Sequence, residues 1–347
     1  MGNLTLPVHG AKTLPSVEVD SYNLEIEDDE GFIGDKASKG AFRKMLDEVR
    51  EVVRKDGEDP LGDEDSDAIS KKRLDAILSK GDADAAAVVQ SAIEAYAGEL
   101  AHVIRRFLRQ KSWKDTEAIV FGGGFRAGRV GELALARTRI LLREAEVDVA
   151  IELIHNHNDE AGLIGAAHLL PPWMVKGHDA MLAVDIGGTN IRAGIVQLNL
   201  GKKLDLSKAC VEEMELWRHG DENDLAREDA VGELCRMLKN LNKLAAKKKL
   251  SLAPVIGIGC PGRIGKDGHI EQGAQNLPGN WESSKFNLPH EIRHALPTIG
   301  EHETLVVMHN DAVVQGLSEL PYMQDYKRWG MLTIGTGLGN VRFTRRR

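Results

Sequence analysis

The sequence has few cysteines, no leader and no long apolar run, and each absence excludes a class of protein. Its three cysteines, Cys210, Cys235 and Cys260, lie 25 residues apart without a CxxC pair, so neither a disulfide framework nor a cysteine zinc site is predicted. No basic-then-apolar leader opens the chain, and no apolar run approaches the roughly 18 residues that a membrane-spanning helix needs. These absences favour a reducing, cytoplasmic location.

An excess of positive charge is also absent. The formal net charge is −8, which argues against nucleic acid as a partner, because phosphate-backbone binding needs clustered Lys and Arg. The terminal Arg345 to Arg347 are typical of a solvated tail. A length of 347 residues suits two domains of about 100–200 residues each. We therefore expect a soluble two-domain protein that binds neither nucleic acid nor membrane.

Hydrophobic periodicity predicts a mixture of helices and strands. After a short β-like stretch within the first 35 residues, the first half of the chain predicts helices over 40–54, 70–79, 84–110, 127–145 and 161–170, and strands over 117–124 and 150–155. The second half predicts strands over 181–185, 193–198, 208–216, 254–259, 304–310 and 330–335, a helix over 225–245, and loops over 261–285. This alternation indicates an α/β protein.

The stretch DIGGTNIRAGIV, which opens at Asp185, has the pattern of a phosphate-binding β-hairpin. Gly187 and Gly188 can adopt positive φ without a Cβ penalty, so the chain can turn tightly there. Thr189 and Asn190 complete the turn, whose backbone N–H groups could face an oxyanion. Asp185 would face the same space, where a carboxylate needs solvent, a donor or a cation.

A second hairpin of this kind is predicted in LTIGTGLGN, residues 332–340. Gly335, Thr336, Gly337 and Gly339 follow an apolar strand and offer bare N–H groups and a hydroxyl. A single GTG is also typical of a plain β-turn. Two such turns after apolar strands suggest two jaws that hold one polyphosphate.

The triplet Gly122-Gly123-Gly124 links a buried strand to a helix. Strand, glycine-rich turn and helix form a common ligand-binding arrangement in α/β proteins, and this turn could admit the flat face of a nucleoside. A tight strand-to-helix turn without a ligand explains the glycines equally well.

The pair Asn310-Asp311 directly follows a buried strand and precedes the helical pattern AVVQGLSEL. Asn and Asp are favoured helix N-caps, so the pair has a purely structural explanation. A carboxylate at the end of a strand is also well placed as general base for a hydroxyl nucleophile.

Two loops could line a polar, hydroxyl-rich ligand site. GIGCPGRI contributes Gly262, and QNLPGNW contributes Asn276, Pro278 and Asn280. The stretch His155-Asn156-His157 offers two imidazoles, but its position at a strand end is more typical of a solvated loop than of a metal site.

Five motifs, DIGGTNIRAGIV, GIGCPGRI, QNLPGNW, HNDAVVQGLSE and LTIGTGLGN, follow one another in this order. As a set they resemble the ROK family of sugar kinases, within the actin-like ATPase superfamily. FGGGF and DEAGLIGAAHL resemble that family's nucleoside-binding turn and final helix, but here they precede the motifs that open a family chain. The chain therefore resembles a circularly permuted ROK kinase, because reading 181–347 and then 1–172 restores the family order.

The resemblance implies an α/β fold of the two-domain actin-like ATPase (ribonuclease H-like) type, with a cleft between the domains. Residues 1–172 would form most of the large domain with its nucleoside side, 173–180 a linker, 181–310 the small domain with the phosphate hairpin and sugar loops, and 311–347 the start of the large domain. The strand after Gly339 would then lie beside the start of the chain.

The chain departs from the family at one place. Family members usually follow the second phosphate hairpin with a Gly-Glu-Ile/Leu-Gly-His segment and a cysteine-rich zinc motif, and neither is found in 341–347 or 1–35. Zinc is therefore not implied, and the family's Glu and His sugar contacts cannot be carried over.

The activity that the resemblance implies is ATP-dependent phosphorylation of a hexose-like sugar or sugar derivative, a kinase reaction of carbohydrate metabolism. Asp311 would be the general base, Asn310 and Asn276 would hold other hydroxyls, and Gly262 would let the sugar approach its loop. The implied ATP-binding residues are Gly187, Gly188, Thr189, Asn190, Gly335, Thr336 and Gly337 at the phosphates, Gly123 and Gly124 at the adenosine, and Asp185, which would hold Mg²⁺ through water.

A small-molecule sugar is the partner that this activity implies, and a homodimer is left open. Two rivals share the fold. One is a non-catalytic sugar sensor, although the helix-turn-helix of the family's repressors is not recognisable in residues 1–35. The other is an ATPase that switches partners, which has no obvious need for Asn310-Asp311 beside QNLPGNW.

Overall fold

The computed structural model describes residues 6–124, 128–222, 224–335 and 337–346, which form two compact units. The first unit contains the chain up to Asn23, Ile154–Lys327 and the chain from Val341; the second contains Leu24–Leu153 and Arg328–Asn340. Both units combine helices with β-sheet, so the predicted α/β class is confirmed. The permuted domain division at 172, 181 and 310, and the cleft, stay predictions.

The described residues contain strands that we number in chain order. They are β1 (Val17–Tyr22), β2 (Glu27–Asp28), β3 (Gly31–Phe32), β4 (Ala118–Gly122), β5 (Ala150–Leu153), β6 (Ala180–Ile186), β7 (Ile191–Gln197), β8 (Cys210–Trp217), β9 (Leu252–Cys260), β10 (Arg263–Ile264), β11 (Ile270–Gln272), β12 (Thr298–Ile299), β13 (His302–Glu303), β14 (Leu305–Asn310), β15 (Arg328–Ile334) and β16 (Leu338–Arg345).

The α-helices of the same residues are α1 (Lys39–Asp56), α2 (Lys71–Lys80), α3 (Ala83–Leu108), α4 (Arg129–Glu144), α5 (Asn158–Ala167), α6 (Pro172–Val175), α7 (Arg227–Lys247), α8 (Leu288–Ala295) and α9 (Asp311–Leu317). Every helix and strand predicted over 40–335 is confirmed, with ends shifted by a few residues. Each of these helices is too short or too polar to cross a membrane.

The structure corrects the sequence analysis in two places. The expected loop over 261–285 contains the antiparallel pair β10 and β11, which turns at Gly268 with φ of +85°. The stretch expected to be a linker begins inside α6, whose first residue, Pro172, suits a helix N-terminus because a proline has no N–H to leave unpaired there.

In the second unit, parallel strands β15, β4 and β5 lie side by side. Two helices of this unit begin at side-chain caps: Ser38 Oγ accepts from Ala41 N at the start of α1, and Asp82 Oδ1 accepts from Ala85 N at the start of α3. The core between helices and sheet includes Tyr96 and Phe121, both fully buried.

The first unit is built on a sheet with strand order β14-β9-β6-β7-β8. Strands β14, β9 and β6 are parallel, and β7 and β8 run antiparallel to their neighbours. Side chains alternate between the two faces. On one face, Leu182 and Val184 of β6 join the core formed with α7 and α8. The next residue, Asp185, faces α5, because a Cβ on Gly162 of α5 would meet its carboxylate.

The last strand of the chain pairs with the first strand in the first unit. Strand β1 pairs antiparallel with β16, with Val17 opposite Arg345, and Arg346 N donates to Ser16 O at 2.9 Å. The prediction that the strand after Gly339 lies beside the start of the chain is confirmed.

Candidate functional site

The Asn310-Asp311 pair lies where β14 ends and α9 begins. Asn310 is the N-cap of α9, because its Oδ1 accepts a hydrogen bond from Val313 N at 3.2 Å. Asp311 is the first helical residue. The structure thus gives the cap to Asn310, while the Asp311 carboxyl accepts from backbone N–H groups and from Asn310 Nδ2.

Asp185 and Asp311 meet at the carboxyl edge of the parallel strands. The strand register places Asp185 of β6 beside Gly259 of β9, and Asn310 of β14 beside Cys260. A Cβ on Gly259 would lie 3.4 Å from the Asp311 Cα, so the start of α9 passes close over the end of β9. The carboxyl edge of parallel strands is the usual place for ligands in open α/β sheets.

The two carboxylates influence each other's protonation. Burial, and next the Asp185 carboxylate, raise the pKa of Asp311 from 3.8 to about 7, against hydrogen bonds from backbone N–H groups and Asn310 that lower it. Burial also raises the pKa of Asp185, whereas Arg192 lowers it. A carboxyl group with a pKa near neutrality suits general-base catalysis at physiological pH.

Arg192, on β7, connects Asp185 to a third carboxylate. Its Nη1 donates to Asp185 Oδ2 at 3.3 Å and its Nη2 donates to Asp159 Oδ1, in the first turn of α5, at 2.6 Å. The Nε of Arg192 is buried and has no hydrogen-bond partner among the described residues. The guanidinium therefore offsets part of the negative charge that collects at this edge.

Sequence reasoning quoted Arg192 and Asp159 within its motifs but assigned neither a role. The contact with Asp185 could have been anticipated, because a four-residue turn after Ile186 places Arg192 directly opposite Asp185 in the hairpin. The contact with Asp159 depends on the packing of α5 and has no local signal.

The predicted phosphate hairpin at Gly187 to Asn190 is present but differs in its backbone. Neither Gly187 nor Gly188 has φ in the left-handed region, so the expected use of positive φ is wrong. Gly187 N donates to Asn190 O at 2.8 Å, which closes the turn. The N–H groups of Gly188 and Thr189 donate to no atom of the described residues. They are therefore the groups of this hairpin that could donate to a bound oxyanion.

The hairpin lies against one of the predicted ligand loops. A Cβ on Gly188 would be 3.3 Å from Asn276 Cβ, so the structure brings these two predicted residues together. His219, which the sequence analysis missed, donates through Nε2 to Gly187 O at 2.9 Å and supports the turn.

Gly262 has a structural reason to be glycine. Its φ is +95°, and a Cβ there would lie 2.4 Å from Gln272 O in the neighbouring strand. Its carbonyl accepts from Asn310 Nδ2 at 3.1 Å. The loop therefore lies next to the Asn310-Asp311 pair, and the glycine is required by the turn whether or not a sugar approaches.

The other nucleotide residues predicted from the sequence belong to the second unit. Gly335 N donates to Gly337 O at 2.9 Å, and Gly335 O accepts from Lys39 N at 3.0 Å. Thr336 lies outside the described residues. Gly123 has φ of +88°, and a Cβ there would be 2.2 Å from Ile334 O, whereas Gly124 has open space around its Cβ position. The tight turn thus accounts for Gly123 without a nucleoside.

The carboxylates at this edge of the sheet suit Mg²⁺ better than a metal ion that is bound entirely by protein side chains. Within the described ranges, no group of three or more His, Cys, Asp or Glu side chains could hold an ion. Mg²⁺ keeps several waters and usually takes one or two carboxylates together with phosphates, and Asp185 with Asp311 beside it matches that demand. His155 is engaged elsewhere, since its Nδ1 lies 2.7 Å from Glu319 Oε2 and its ring stacks on Tyr322.

No protein-family model matches the chain, and no curated protein matches it. Solved structures are similar to parts of it. A ROK hexokinase from Thermus thermophilus shares 20% identity, over 46% of this chain and 45% of its own, with a TM-score of 0.34. A ROK family glucokinase from Streptomyces griseus, in complex with glucose and AMPPNP, shares 22% identity over 48% of this chain and 46% of its own, with a TM-score of 0.35.

An exopolyphosphatase from Cytophaga hutchinsonii shares 16% identity over 48% of this chain and 51% of its own, with a TM-score of 0.25. The chain spans about half the length of the solved structures that it matches. Because these TM-scores are low, the likeness decides neither family nor activity, and the function is argued from the chain's own residues.

Proposed function

We propose that the protein transfers the terminal phosphoryl group of ATP to a hydroxyl of a hexose-like sugar or sugar derivative. The observation that supports this most is the carboxylate pair at the edge of the first unit's sheet, where burial and next the Asp185 carboxylate raise the pKa of Asp311 to about 7. Phosphoryl transfer needs positioning, charge neutralisation and a group that takes the hydroxyl proton.

Asp311 is the proposed general base. It would accept the proton of the attacking hydroxyl while the hydroxyl oxygen bonds to the terminal phosphorus and the bond to the bridging oxygen of ADP breaks. Asn310 donates to Asp311 Oδ1 at 2.9 Å, and its own amide is held by Val313 N, so the carboxylate is oriented by a rigid neighbour. Such preorganisation lowers the reorganisation needed during the reaction.

Asp185 is the proposed magnesium residue, with water between carboxylate and ion. The ion, when bound with ATP, neutralises phosphate charge. Arg192 holds Asp185 Oδ2 at 3.3 Å, and Asp159 in turn holds Arg192. The three side chains would therefore keep Asp185 in one orientation.

The remaining residues predicted from the sequence are proposed to bind the substrates, and each unit contributes its own set. In the first unit, Gly187 to Asn190 would bind phosphate, chiefly through the unpartnered N–H groups of Gly188 and Thr189, and Asn276, Asn310 and Gly262 would face the sugar. In the second, Gly335, Thr336 and Gly337 are proposed as phosphate contacts and Gly123 and Gly124 as adenosine contacts. A cytoplasmic location and a homodimer stay predictions.

The test is a coupled ATP-consumption assay over a panel of aldohexoses and their derivatives, with glucose first. We expect Asp311→Asn to lower kcat by about 10²–10⁴ while sugar binding stays within about tenfold, because the lost proton acceptor acts in the transition state. Asp179→Asn is the matched control, since Asp179 is exposed and directly precedes β6, at the end of that strand opposite to Asp185.

Near-normal turnover by Asp311→Asn would contradict the assigned base. A wild-type protein that binds a sugar in calorimetry but consumes no ATP with any member of the panel would instead favour the non-catalytic sensor.

A further inference from the structure

The N-terminal segment, residues 6–23, lies along the free edge of β14, the strand that leads to Asp311. Gly10 N donates to Met308 O at 2.9 Å, and Met308 N donates to His9 Nδ1 at 3.1 Å. One residue further along β14, His309 Nε2 donates to Ala11 O at 3.1 Å. These contacts cover an edge that would otherwise expose unpaired backbone groups.

The same segment ends at Asn23, beside the proposed base. Asn23 has φ of +47°, in the left-handed region, and its Oδ1 accepts from Asn310 Nδ2 at 3.2 Å. The same nitrogen donates to Asp311 Oδ1 at 2.9 Å. Asn23 and Asp311 therefore lie within two hydrogen bonds of each other, although 288 positions separate them in the sequence.

The hydrogen bonds around Asn310 leave a surplus of acceptors. Its Nδ2 carries two hydrogens but has three oxygens within 3.2 Å, on Asn23, Gly262 and Asp311. The contact of Asn310 Oδ1 with Val313 N fixes which end of this amide is the nitrogen. Asn310 Nδ2 can therefore donate a full hydrogen bond to only two of the three oxygens at a time, and an added hydroxyl group could donate to the third.

Asn23 also has donors to spare. Because its Oδ1 faces Asn310, its Nδ2 points away from that amide, and this nitrogen donates to no atom of the described residues. The Nδ2 lies 3.8 Å from the place of a Cβ on Gly273, in the loop that also holds Gly262. Unused donors and an acceptor surplus in one place match a hydroxyl-rich ligand, since each hydroxyl both donates and accepts.

We propose that Asn23 is a substrate-binding residue, which donates through Nδ2 to a hydroxyl of the sugar next to the one that Asp311 deprotonates. The inference rests on the proposed kinase function and deepens it. The sequence has no recognisable counterpart of the family's Glu and His sugar contacts. The proposal gives the N-terminal segment a sugar-binding role in this site. The alternative is a structural role, because asparagine is a common residue at left-handed positions.

Asn23→Gly separates the two roles, since glycine keeps the left-handed backbone and removes only the amide. We expect KM for the sugar to rise about 3- to 10-fold, the worth of one net hydrogen bond, with Kd for ATP in calorimetry unchanged within about twofold. Asn199→Gly is the matched control. Asn199 also has a left-handed φ, of +48°, but its Nδ2 donates to Lys208 O in an exposed turn.

Asn23→Asp is the second variant, in case the glycine variant does not fold. Aspartate tolerates left-handed φ and keeps the size of the side chain but cannot donate, so the same rise in sugar KM is expected. Wild-type sugar KM in either folded variant would overturn the role of Asn23 and leave the kinase function intact. A wild-type protein without sugar-dependent ATP consumption would overturn the kinase function and the role of Asn23 with it.

Discussion

The raised pKa that suits Asp311 to its proposed catalytic role also carries a cost to stability. In the unfolded chain an aspartate ionises near pH 4, whereas burial and the Asp185 carboxylate raise the pKa of folded Asp311 to about 7. Between these values the folded state binds a proton that the unfolded state has already released. The free energy of unfolding therefore falls as the pH rises from about 4 to about 7, and stays lower above that range.

This sign predicts that Asp311→Asn stabilises the protein at alkaline pH. The interval of about three pH units corresponds to at most about 4 kcal/mol, and solvent at this partly exposed site reduces the gain to about 1–3 kcal/mol. Urea unfolding of wild type and variant at pH 8 and pH 4 measures it. The gain should vanish at pH 4, where Asp311 is protonated in the folded state. If wild type and variant are equally stable at pH 8, the pKa of Asp311 in the folded protein does not lie near 7.

If Asp311 is the general base, as proposed, it also sets the pH dependence of turnover. Only the ionised carboxylate accepts a proton, so kcat/KM of the wild type should rise with pH and level off above an apparent pKa near 7. The residual activity of Asp311→Asn should lack this rise. A wild-type profile that is flat between pH 5.5 and 8 would contradict the assignment.

At the scale of elements, α5 shapes the site because its small residues let it approach both α9 and β6. A Cβ on Gly165 would lie 1.7 Å from Val314 O of α9, and a Cβ on Gly162 would lie 2.5 Å from the Asp185 Cγ. The helix predicted over 161–170 is confirmed as α5, and its small residues allow this close packing. Both glycines are needed for space rather than for φ.

Gly165→Ala should therefore destabilise the protein by about 1–3 kcal/mol or more, since the methyl group meets a backbone carbonyl that cannot move aside. Gly232→Ala on α7 is the matched control, because its Cβ position has open space and alanine favours a helix by about 0.5–1 kcal/mol. Chemical unfolding of both variants measures the difference. A Gly165→Ala variant as stable as wild type would contradict the packing described for α5.

At the scale of the whole molecule, the pairing of β1 with β16 is compatible with the permuted order that the motifs predict. Val17 pairs with Arg345 between β1 and β16, and Arg346 bonds to Ser16. Residues 16 and 346 therefore lie side by side, and permutation is best tolerated where the segments to be joined are close together.

We expect a rearranged chain that begins at residue 173, runs to 347 and continues through a glycine-serine linker into residues 1–172 to fold. The new break falls just after Pro172, at α6, which is four residues long. Circular dichroism and thermal unfolding measure the outcome, with a melting temperature within about 10 °C of wild type expected. If the rearranged chain shows no cooperative unfolding transition, the natural and the rearranged chain orders do not encode the same fold.

Much of the architecture follows from the sequence by itself. Hydrophobic periodicity predicted helices and strands to within a few residues, because burial of one face imposes a local period of 3.6 or 2. The sequence also predicted the turn between β6 and β7, the cap at Asn310 and the carboxylate at Asp185. Each of these features depends on neighbours within a few positions. The order of the motifs indicated where β16 would find its partner.

Only the tertiary structure decided which distant groups share the site. Asp159 reaches Arg192, Asp185 meets Asp311, and Asn23 reaches Asn310 through strand register and helix packing that no local pattern encodes. It also decided why single glycines are required. Gly188 does not have the positive φ that we expected. Gly123 must be glycine because a Cβ there would collide with the carbonyl oxygen of Ile334 in the neighbouring parallel strand. A site is set by distances across the fold, whereas periodicity and propensity act along the chain.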